Sequence, residues 1–239
     1  MRIIIIRHAE PDYEHNCITK QGEIEALALK DRLLKEKIDE IYVSPLNRAY
    51  LTAKPYLEVS HKSYQTMEWL KEFNYLNTTL KKKRKIAWDF PVKYFTKQTK
   101  FYDFSRWQKA DFIKRSNFTE NYKKVCQEFD KVLEKNGYIR EKKYYKVVAG
   151  NKKTLVFFCH LGLECVLLSH LMSLPSVVIA QHFAPSPSSV SILYTEEREL
   201  GIAQFRIQCL GDISHLYVKN IPPSTMGRFQ ENYFDNGRK

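Results

Sequence analysis

The sequence contains no apolar run that approaches the roughly 20 residues needed for a membrane-spanning helix. The N-terminal run Ile3–Ile6 is also too short for the core of a secretory signal peptide, because charged residues follow it at once. These absences predict a cytoplasmic protein that has no membrane partner.

Cysteine is sparse and irregularly spaced. The five Cys residues are an odd number without the spacing of a disulfide framework, so we expect reduced thiols. Neither Cys-x-x-Cys nor His-Glu-x-x-His occurs, and the sequence therefore predicts no metal centre. There is no internal repeat, and the only low-complexity tract is the basic run Lys81–Lys85.

Apolar residues make up 44% of the 239 residues and aromatic residues 13%, which argues against disorder. The net charge of +12 would attract acidic partners. Lys81–Lys85 lies near Trp88 and Tyr94, a combination that can hold nucleic acid. Because the positive charge is spread along the whole chain, we interpret the run as a solvated loop and do not predict nucleic acid as a partner.

The first chemical signal follows a predicted strand. Ile3–Ile6 is a run of β-branched residues typical of a strand buried on both faces, and Arg7 and His8 come directly after it. Ligands bind at the carboxyl ends of strands in open α/β sheets. A cation beside an imidazole at that point indicates an anionic substrate and a nucleophile or acid–base group.

A second segment repeats this arrangement. Residues 154–159 form another apolar run, which ends at His160, and a helical pattern follows. If the two strands are neighbours, His8 and His160 face each other across one site. The backbone N–H groups that begin the following helix would suit an anion there.

A third candidate lies between them. Ile41–Val43 is typical of a strand, and the pattern predicts Ser44 as the N-cap of the next helix with Pro45 at its first position. Arg48 would then lie in the first turn, where a cation is unfavourable by about 0.3–1 kcal/mol. A bound anion would relieve that conflict.

These elements predict an α/β fold, a three-layer α/β/α sandwich with a mostly parallel central sheet and an inserted cap region. We expect one domain over residues 1–239, with the cap-like insertion at about 73–150. The remaining predicted elements are a helix at 20–36 capped by Thr19, an edge strand at 63–67, a helix at 109–135 and antiparallel strands at 188–194 and 202–209. The helix at 20–36 should turn an apolar face to the core, formed by Ile24, Leu27, Ala28 and Leu34.

Four motifs occur in the order seen in the histidine phosphatase superfamily, which includes the cofactor-dependent phosphoglycerate mutases and many phosphatases. The motifs are Arg7-His8-Ala9-Glu10, Ser44-Pro45-Leu46-Asn47-Arg48-Ala49, Leu70-Lys71-Glu72 and Phe158-Cys159-His160. The chain resembles that family over roughly residues 1–75 and 150–215.

The resemblance implies a role for each motif residue. His8 would be the nucleophile that becomes phosphohistidine, and Arg7 and Arg48 would clamp the phosphate. His160 would bind the phosphoryl oxygens in the transition state, and Glu72 would be the general acid. Arg and His side chains can carry the charge of a phosphoryl transfer, so neither a metal nor a cofactor is implied.

Glu72 has competitors for the role of general acid. These are Glu10, Glu14 and Glu68, which lie in neighbouring motifs or loops. The Arg-His-Tyr-Gly stretch of the mutases is absent, and Glu72-Phe73-Asn74-Tyr75 stands in its place. That difference favours a phosphatase over a mutase.

Several further residues are candidates for supporting roles. We expect His170 to be a satisfied core residue, Asp212 and His215 to pack against the site, and His15 and Asn16 to reach toward the substrate.

The sequence thus predicts a metal-independent phosphomonoesterase that acts on a small phosphorylated metabolite. The alternatives are phosphoryl transfer of the phosphoglycerate mutase type, which needs a diphosphate cofactor, and a phosphate- or polyanion-binding module without turnover. The physiological substrate and the oligomeric state stay open.

Overall fold

The computed structural model describes residues 1–74 and 88–227. Its strands are β1 (Arg2–Arg7), β2 (Pro11–Asp12), β3 (Cys17–Ile18), β4 (Glu40–Val43), β5 (Gln65–Thr66), β6 (Tyr138–Glu141), β7 (Tyr144–Val147), β8 (Thr154–Cys159), β9 (Val190–Glu199) and β10 (Ile202–Asp212). Its α-helices are α1 (Lys20–Leu33), α2 (Asn47–Ser60), α3 (Val92–Phe95), α4 (Asp111–Lys114), α5 (Phe118–Lys135), α6 (Leu161–Met172), α7 (Ser176–His182) and α8 (Ser214–Tyr217). Short 3₁₀ turns occupy Glu68–Leu70, Thr99–Tyr102 and Trp107–Lys109.

An eight-stranded sheet forms the centre, in the order β5-β4-β8-β1-β9-β10-β7-β6. The strands β5, β4, β8 and β1 pair in parallel, and β9, β10, β7 and β6 continue the sheet by antiparallel pairing. The carboxyl ends of the parallel strands therefore meet at one edge.

The two faces of β1 bury alternate residues in two separate apolar clusters. Ile3 and Ile5 pack into the larger cluster with α5 and α6, whereas Ile4 and Ile6 pack into the other one with α1 and α2. Helices cover both sides of the sheet, which explains why the isoleucine run is continuous rather than alternating. The predicted three-layer α/β fold is confirmed.

The predicted apolar face of α1 was wrong at three of its four positions, and only Ala28 is buried as predicted. Thr19 does cap this helix, because its hydroxyl accepts the Gly22 N–H. Ile24, Leu27 and Leu34, however, are exposed. The buried positions of the helix are Gly22, Glu25, Ala26, Ala28, Leu29 and Leu33. Glu25 can lie inside because its carboxylate accepts the Glu10 N–H, a contact that apolar periodicity cannot report.

The predicted helix at 109–135 is two helices. A break separates α4 from α5, and at this break the Ser116 hydroxyl accepts the Phe118 N–H. Such a local side-chain contact competes with helix continuation. Trp107, in the 3₁₀ turn that precedes α4, is fully buried, with T-shaped contacts to Phe118 and Tyr122 across the break.

The region expected as a cap contains two kinds of structure. Residues 88–114 form short helical turns around a cluster of aromatic rings that reaches α7, where Gln181 exchanges hydrogen bonds with the Phe90 backbone. Residues 138–147 are β6 and β7 of the central sheet. An insertion over about 73–150 stays a prediction, and the basic run Lys81–Lys85 lies outside the described residues.

Within residues 1–74 and 88–227, no helix is both long enough and apolar enough to cross a membrane.

The corrected face of α1 can be tested with two leucines of the same helix. Leu29 is 0% exposed and Leu27 is 51% exposed. Leu29→Ala should lower the free energy of unfolding by about 2–5 kcal/mol, because it leaves a cavity in the core. Leu27→Ala should change it by less than about 1 kcal/mol. Urea unfolding followed by circular dichroism measures both, and equal losses would contradict this orientation of the helix.

Candidate functional site

Pairing of β1 with β8 brings the two strand-end histidines together. Arg7 lies opposite Cys159 in the parallel register, and the His8 N–H donates to the Cys159 carbonyl at 2.9 Å. The rings of His8 and His160 are consequently 5.1 Å apart between centroids, and both residues are buried. The sequence-based expectation that they face each other is met by this geometry.

The hydrogen bonds of His8 define its tautomer. Nδ1 lies 2.8 Å from the Ala9 carbonyl oxygen, which can only accept, so Nδ1 carries the proton. Nε2 then bears a lone pair, and it is buried without a partner among the described residues. Burial, followed by the charge of Arg7, lowers the pKa of His8 to about 3, so the ring is neutral near pH 7.

Two guanidinium groups, those of Arg7 and Arg48, lie close enough to the histidines to lower their pKa values. Arg7 ends β1, and its Nη1 donates to the Pro185 carbonyl at 2.5 Å. Arg48 lies in the first turn of α2, buried, with its guanidinium carbon 5.4 Å from the centre of the Tyr13 ring. Neither forms an ion pair with any described residue. Two buried, unpaired cations are costly, and an anion between them would offset that cost.

Glu72 completes the cluster. Its carboxylate and the ring nitrogens of His8 and His160 offer three ligand atoms that lie within 4.8 Å of one another. Oε1 accepts two backbone N–H groups, those of Phe73 and Gly162, each at 2.9 Å. The proton of the acid form therefore belongs on Oε2. Burial raises the pKa of Glu72, although these two hydrogen bonds and the two arginines oppose that rise.

The competing carboxylates are engaged elsewhere. Glu10 accepts the Thr19 hydroxyl at 2.8 Å, Glu68 pairs with Lys71 on the surface, and Glu14 is exposed. Of the four carboxylates considered from the sequence, only Glu72 belongs to the cluster with both histidines.

Gly162 explains how Glu72 comes so close to His160. A Cβ at Gly162 would lie 2.7 Å from the Phe73 carbonyl oxygen, 2.7 Å from the Trp88 ring and 2.8 Å from Glu72 Oε1. No side chain fits in that space. Its N–H, one of those expected to face an anion, donates to Glu72 instead.

Ser44 does not cap α2 as the sequence predicts. The helix begins at Asn47 with Leu46 at the N-cap and no side-chain cap. The Ser44 hydroxyl lies instead 2.8 Å from Nε2 of His160, and it also accepts the Leu46 N–H at 3.3 Å. Sequence reasoning missed this contact because the two residues are 116 positions apart.

The remaining candidates have partners of their own. His170 lies 2.8 Å from an Asp130 oxygen, Asp212 pairs with Arg32, and His15 pairs with Asp12 on the surface. Asn16 is exposed in the same loop and has a positive φ of 49°.

His215 is connected indirectly to the site through Ser188. The Ser188 hydroxyl lies 3.3 Å from His215 Nε2, and the Ser188 N–H donates to the His8 carbonyl. The expected packing of this segment against the site thus runs through Ser188, which the sequence analysis did not single out.

The arrangement is suited to an anion that reacts with a nucleophile. A lone pair on His8 Nε2, two guanidinium groups and a carboxyl group with a raised pKa surround one point. His8, Glu72 and His160 could geometrically hold a metal ion, but the unpaired charges of Arg7 and Arg48 oppose a cation at that point.

Comparisons with known proteins agree with this geometry. The family model described as histidine phosphatase superfamily (branch 1) matches residues 3–208. No curated protein matches the sequence significantly.

Solved structures share the fold at low sequence identity. A mutant phosphoserine phosphatase from Entamoeba histolytica in complex with phosphoserine has a TM-score of 0.59 and 18% identity, covering 90% of this chain and 98% of that one. A mycobacterial glucosyl-3-phosphoglycerate phosphatase complexed with VO3 has a TM-score of 0.57 and 16% identity, with coverages of 88% and 98%. A putative alpha-ribazole-5'-P phosphatase from Escherichia coli has a TM-score of 0.55 and 16% identity, with coverages of 89% and 97%.

Removal of Arg48 should weaken anion binding. Arg48→Ala takes away one of two charged donors, so we expect inorganic phosphate to bind about tenfold to hundredfold more weakly in isothermal titration calorimetry. Arg106→Ala is the matched control, because Arg106 is exposed and pairs with Asp103. Equal affinities of the two variants would show that Arg48 does not contact the anion.

Proposed function

Because the chain belongs to the histidine phosphatase superfamily, branch 1, we propose that it is a phosphomonoesterase that works through a phosphohistidine. The observation that carries the proposal is a neutral His8 whose Nε2 has no partner among the described residues and which lies beside the guanidinium groups of Arg7 and Arg48. A nucleophile in that setting can attack an anionic phosphorus centre, since the arginines neutralise the charge that would repel it.

The first half of the reaction follows from these positions. Arg7 and Arg48 bind the phosphoryl oxygens and His160 donates to one of them. His8 Nε2 attacks phosphorus, a P–N bond forms, and the ester P–O bond breaks. The leaving alkoxide takes the proton from Glu72 Oε2, so the alcohol departs neutral. The raised pKa of Glu72 supports this step because it keeps the carboxyl group protonated at a higher pH than a solvated glutamate.

In the second half, the carboxylate of Glu72 accepts a proton from a water molecule. The resulting hydroxide attacks phosphorus, the P–N bond breaks, and inorganic phosphate leaves with Glu72 protonated again. No step uses a metal, and the reaction should proceed in the presence of a chelator.

A small phosphorylated metabolite is the proposed substrate class. Support comes from the relatives of similar fold, which include a phosphoserine phosphatase and a glucosyl-3-phosphoglycerate phosphatase. Selectivity among such esters would belong to the proposed cap, which supplies Trp88 next to Glu72 and Gly162.

His8→Ala should abolish hydrolysis of an aryl phosphate measured with EDTA present, because the covalent intermediate cannot form. His61→Ala, an exposed histidine at the end of α2, should keep wild-type turnover. Trapping of labelled phosphate on wild-type protein but not on His8→Ala would identify the intermediate. Turnover by His8→Ala near the wild-type rate would refute the nucleophile, and inactivity of the wild type toward a panel of phosphate esters would favour the non-catalytic alternative.

Glu72→Gln should discriminate between leaving groups. The amide keeps an oxygen for the Phe73 and Gly162 N–H groups but supplies no proton. We expect kcat/KM, which reports on the first half of the reaction alone, to fall about 10²- to 10⁴-fold for an alkyl phosphate and less than about tenfold for an aryl phosphate with a good leaving group. Glu68→Gln, whose side chain pairs with Lys71 on the surface, is the control. Equal losses on both substrates would mean that Glu72 is not the acid.

The pH dependence of turnover by the wild type should report the ionisation of Glu72. Since the acid form is required, turnover of the alkyl phosphate should decline as the pH rises through the pKa of Glu72. That alkaline limb should be missing in Glu72→Gln. Protonation of His8 removes the nucleophilic lone pair only at far lower pH, because the pKa of His8 is about 3.

A further inference from the structure

The contacts of Ser44 constrain where His160 carries its proton. Ser44 is buried at the end of β4, and its Oγ has two neighbours among the described residues: the Leu46 N–H and Nε2 of His160. The Leu46 N–H can only donate, so it uses one lone pair of the hydroxyl oxygen. The hydroxyl hydrogen then has one available acceptor, which is Nε2 of His160.

The opposite arrangement leaves more buried groups unsatisfied. If His160 Nε2 carried the proton and donated to Ser44, the Ser44 hydroxyl hydrogen would have no acceptor in the described part of the chain. The lone pair of Nδ1 would then face the anion site. Nδ1 is buried without a partner among those residues, so it is the nitrogen available to a ligand. When the Ser44 hydroxyl donates, the Nδ1–H alone lacks a partner among those residues, and a bound anion satisfies it. When Nε2 donates, the Ser44 hydroxyl hydrogen and the Nδ1 lone pair both lack one, and an anion satisfies neither, which favours the Ser44 hydroxyl as the donor.

We infer that Ser44 is a positioning residue that holds neutral His160 as the Nδ1–H tautomer, with that N–H directed at the phosphoryl oxygens. The inference rests on the proposed function for its role in catalysis, but the tautomer itself does not depend on turnover. The two neighbouring imidazoles then have opposite characters, because His8 offers a lone pair and His160 offers a donor.

This assignment explains how an uncharged His160 can stabilise a transition state. Its neutral ring is not a cation, so its contribution has to be one directed hydrogen bond. Burial, then the proximity of His8 and the charges of Arg48 and Arg7, lower the pKa of His160 well below its usual value, which agrees with a neutral ring. A neutral ring with the proton on the wrong nitrogen would present a lone pair to the phosphoryl oxygens and repel them.

Nitrogen-15 NMR of histidine-labelled protein tests the tautomer directly. In the wild type, the His160 resonances, identified by their loss in His160→Gln, should show a protonated Nδ1 and an unprotonated Nε2. In Ser44→Ala the proton should move partly or wholly to Nε2, the form that a neutral histidine prefers in water. A wild-type His160 that carries its proton on Nε2 would overturn the inference, whatever the activity.

Kinetics with three variants separate this role from simple packing. Ser44→Ala should lower kcat for an aryl phosphate at least about tenfold, because one directed donor is lost for part of the population. Ser44→Thr keeps the hydroxyl and should restore both the tautomer and most of kcat. Ser169→Ala is the matched control, since Ser169 is a buried serine whose hydroxyl bonds with Tyr122 and the Leu174 carbonyl.

The outcomes distinguish the two proposals. A wild type that hydrolyses no ester but shows the Nδ1–H form would refute the proposed function and leave the Ser44 assignment standing. An active wild type whose His160 tautomer and kcat are both unchanged in Ser44→Ala would refute the Ser44 assignment and leave the proposed function standing. Equal loss of kcat in Ser44→Ala and Ser169→Ala, with no change of tautomer, would reduce Ser44 to a packing residue.

Discussion

The backbone hydrogen bonds between β1 and β8 set the distance between the two histidines. In the observed register Arg7 lies opposite Cys159, so the residue after each strand points into the same space. Side chains alternate along a strand, and a slip of one residue between β1 and β8 would turn one histidine to the face of the sheet opposite the other. The continuous apolar sequence of both strands, buried on both sides, supplies the packing that holds this register.

The chemistry of the site follows from what burial does to each side chain there. Burial favours the neutral form of both histidines and the acid form of Glu72, while the arginines stay charged because guanidinium groups do not lose their proton in proteins. Two positive charges beside two neutral imidazoles and a carboxyl group of raised pKa form a setting that suits a dianion. In the proposed reaction, the arginines would supply the affinity for the substrate, and the histidines and Glu72 would exchange protons and electron pairs.

Much of the site could be predicted from the sequence because its main members follow strands. Arg7, His8 and His160 were expected at one sheet edge, Arg48 was expected in the first turn of a helix, and the structure brings them together with Glu72. Contacts between distant polar side chains could not be predicted in this way. The pattern of Ser44-Pro45 indicates a helix cap. Nothing in the neighbouring sequence shows that the hydroxyl instead forms a hydrogen bond with His160, 116 residues later. The prediction of the buried face of α1 failed for the same reason. The carboxylate of Glu25 accepts a hydrogen bond from a loop N–H, that of Glu10, which lies outside its own helix.

Gly162 has a consequence for how such proteins can diversify. The space beside it receives Phe73 and Trp88, the residues that flank the stretch 75–87 on either side, together with Glu72. Phe73 and Trp88 therefore lie close together, although 15 positions separate them in the sequence. Insertions or deletions between fixed ends change the free energy of loop closure slowly, by about 0.6 kcal/mol for each doubling in length. A chain that leaves at Phe73 and returns at Trp88 can accordingly vary in length while Glu72 keeps its hydrogen bond from the Gly162 N–H.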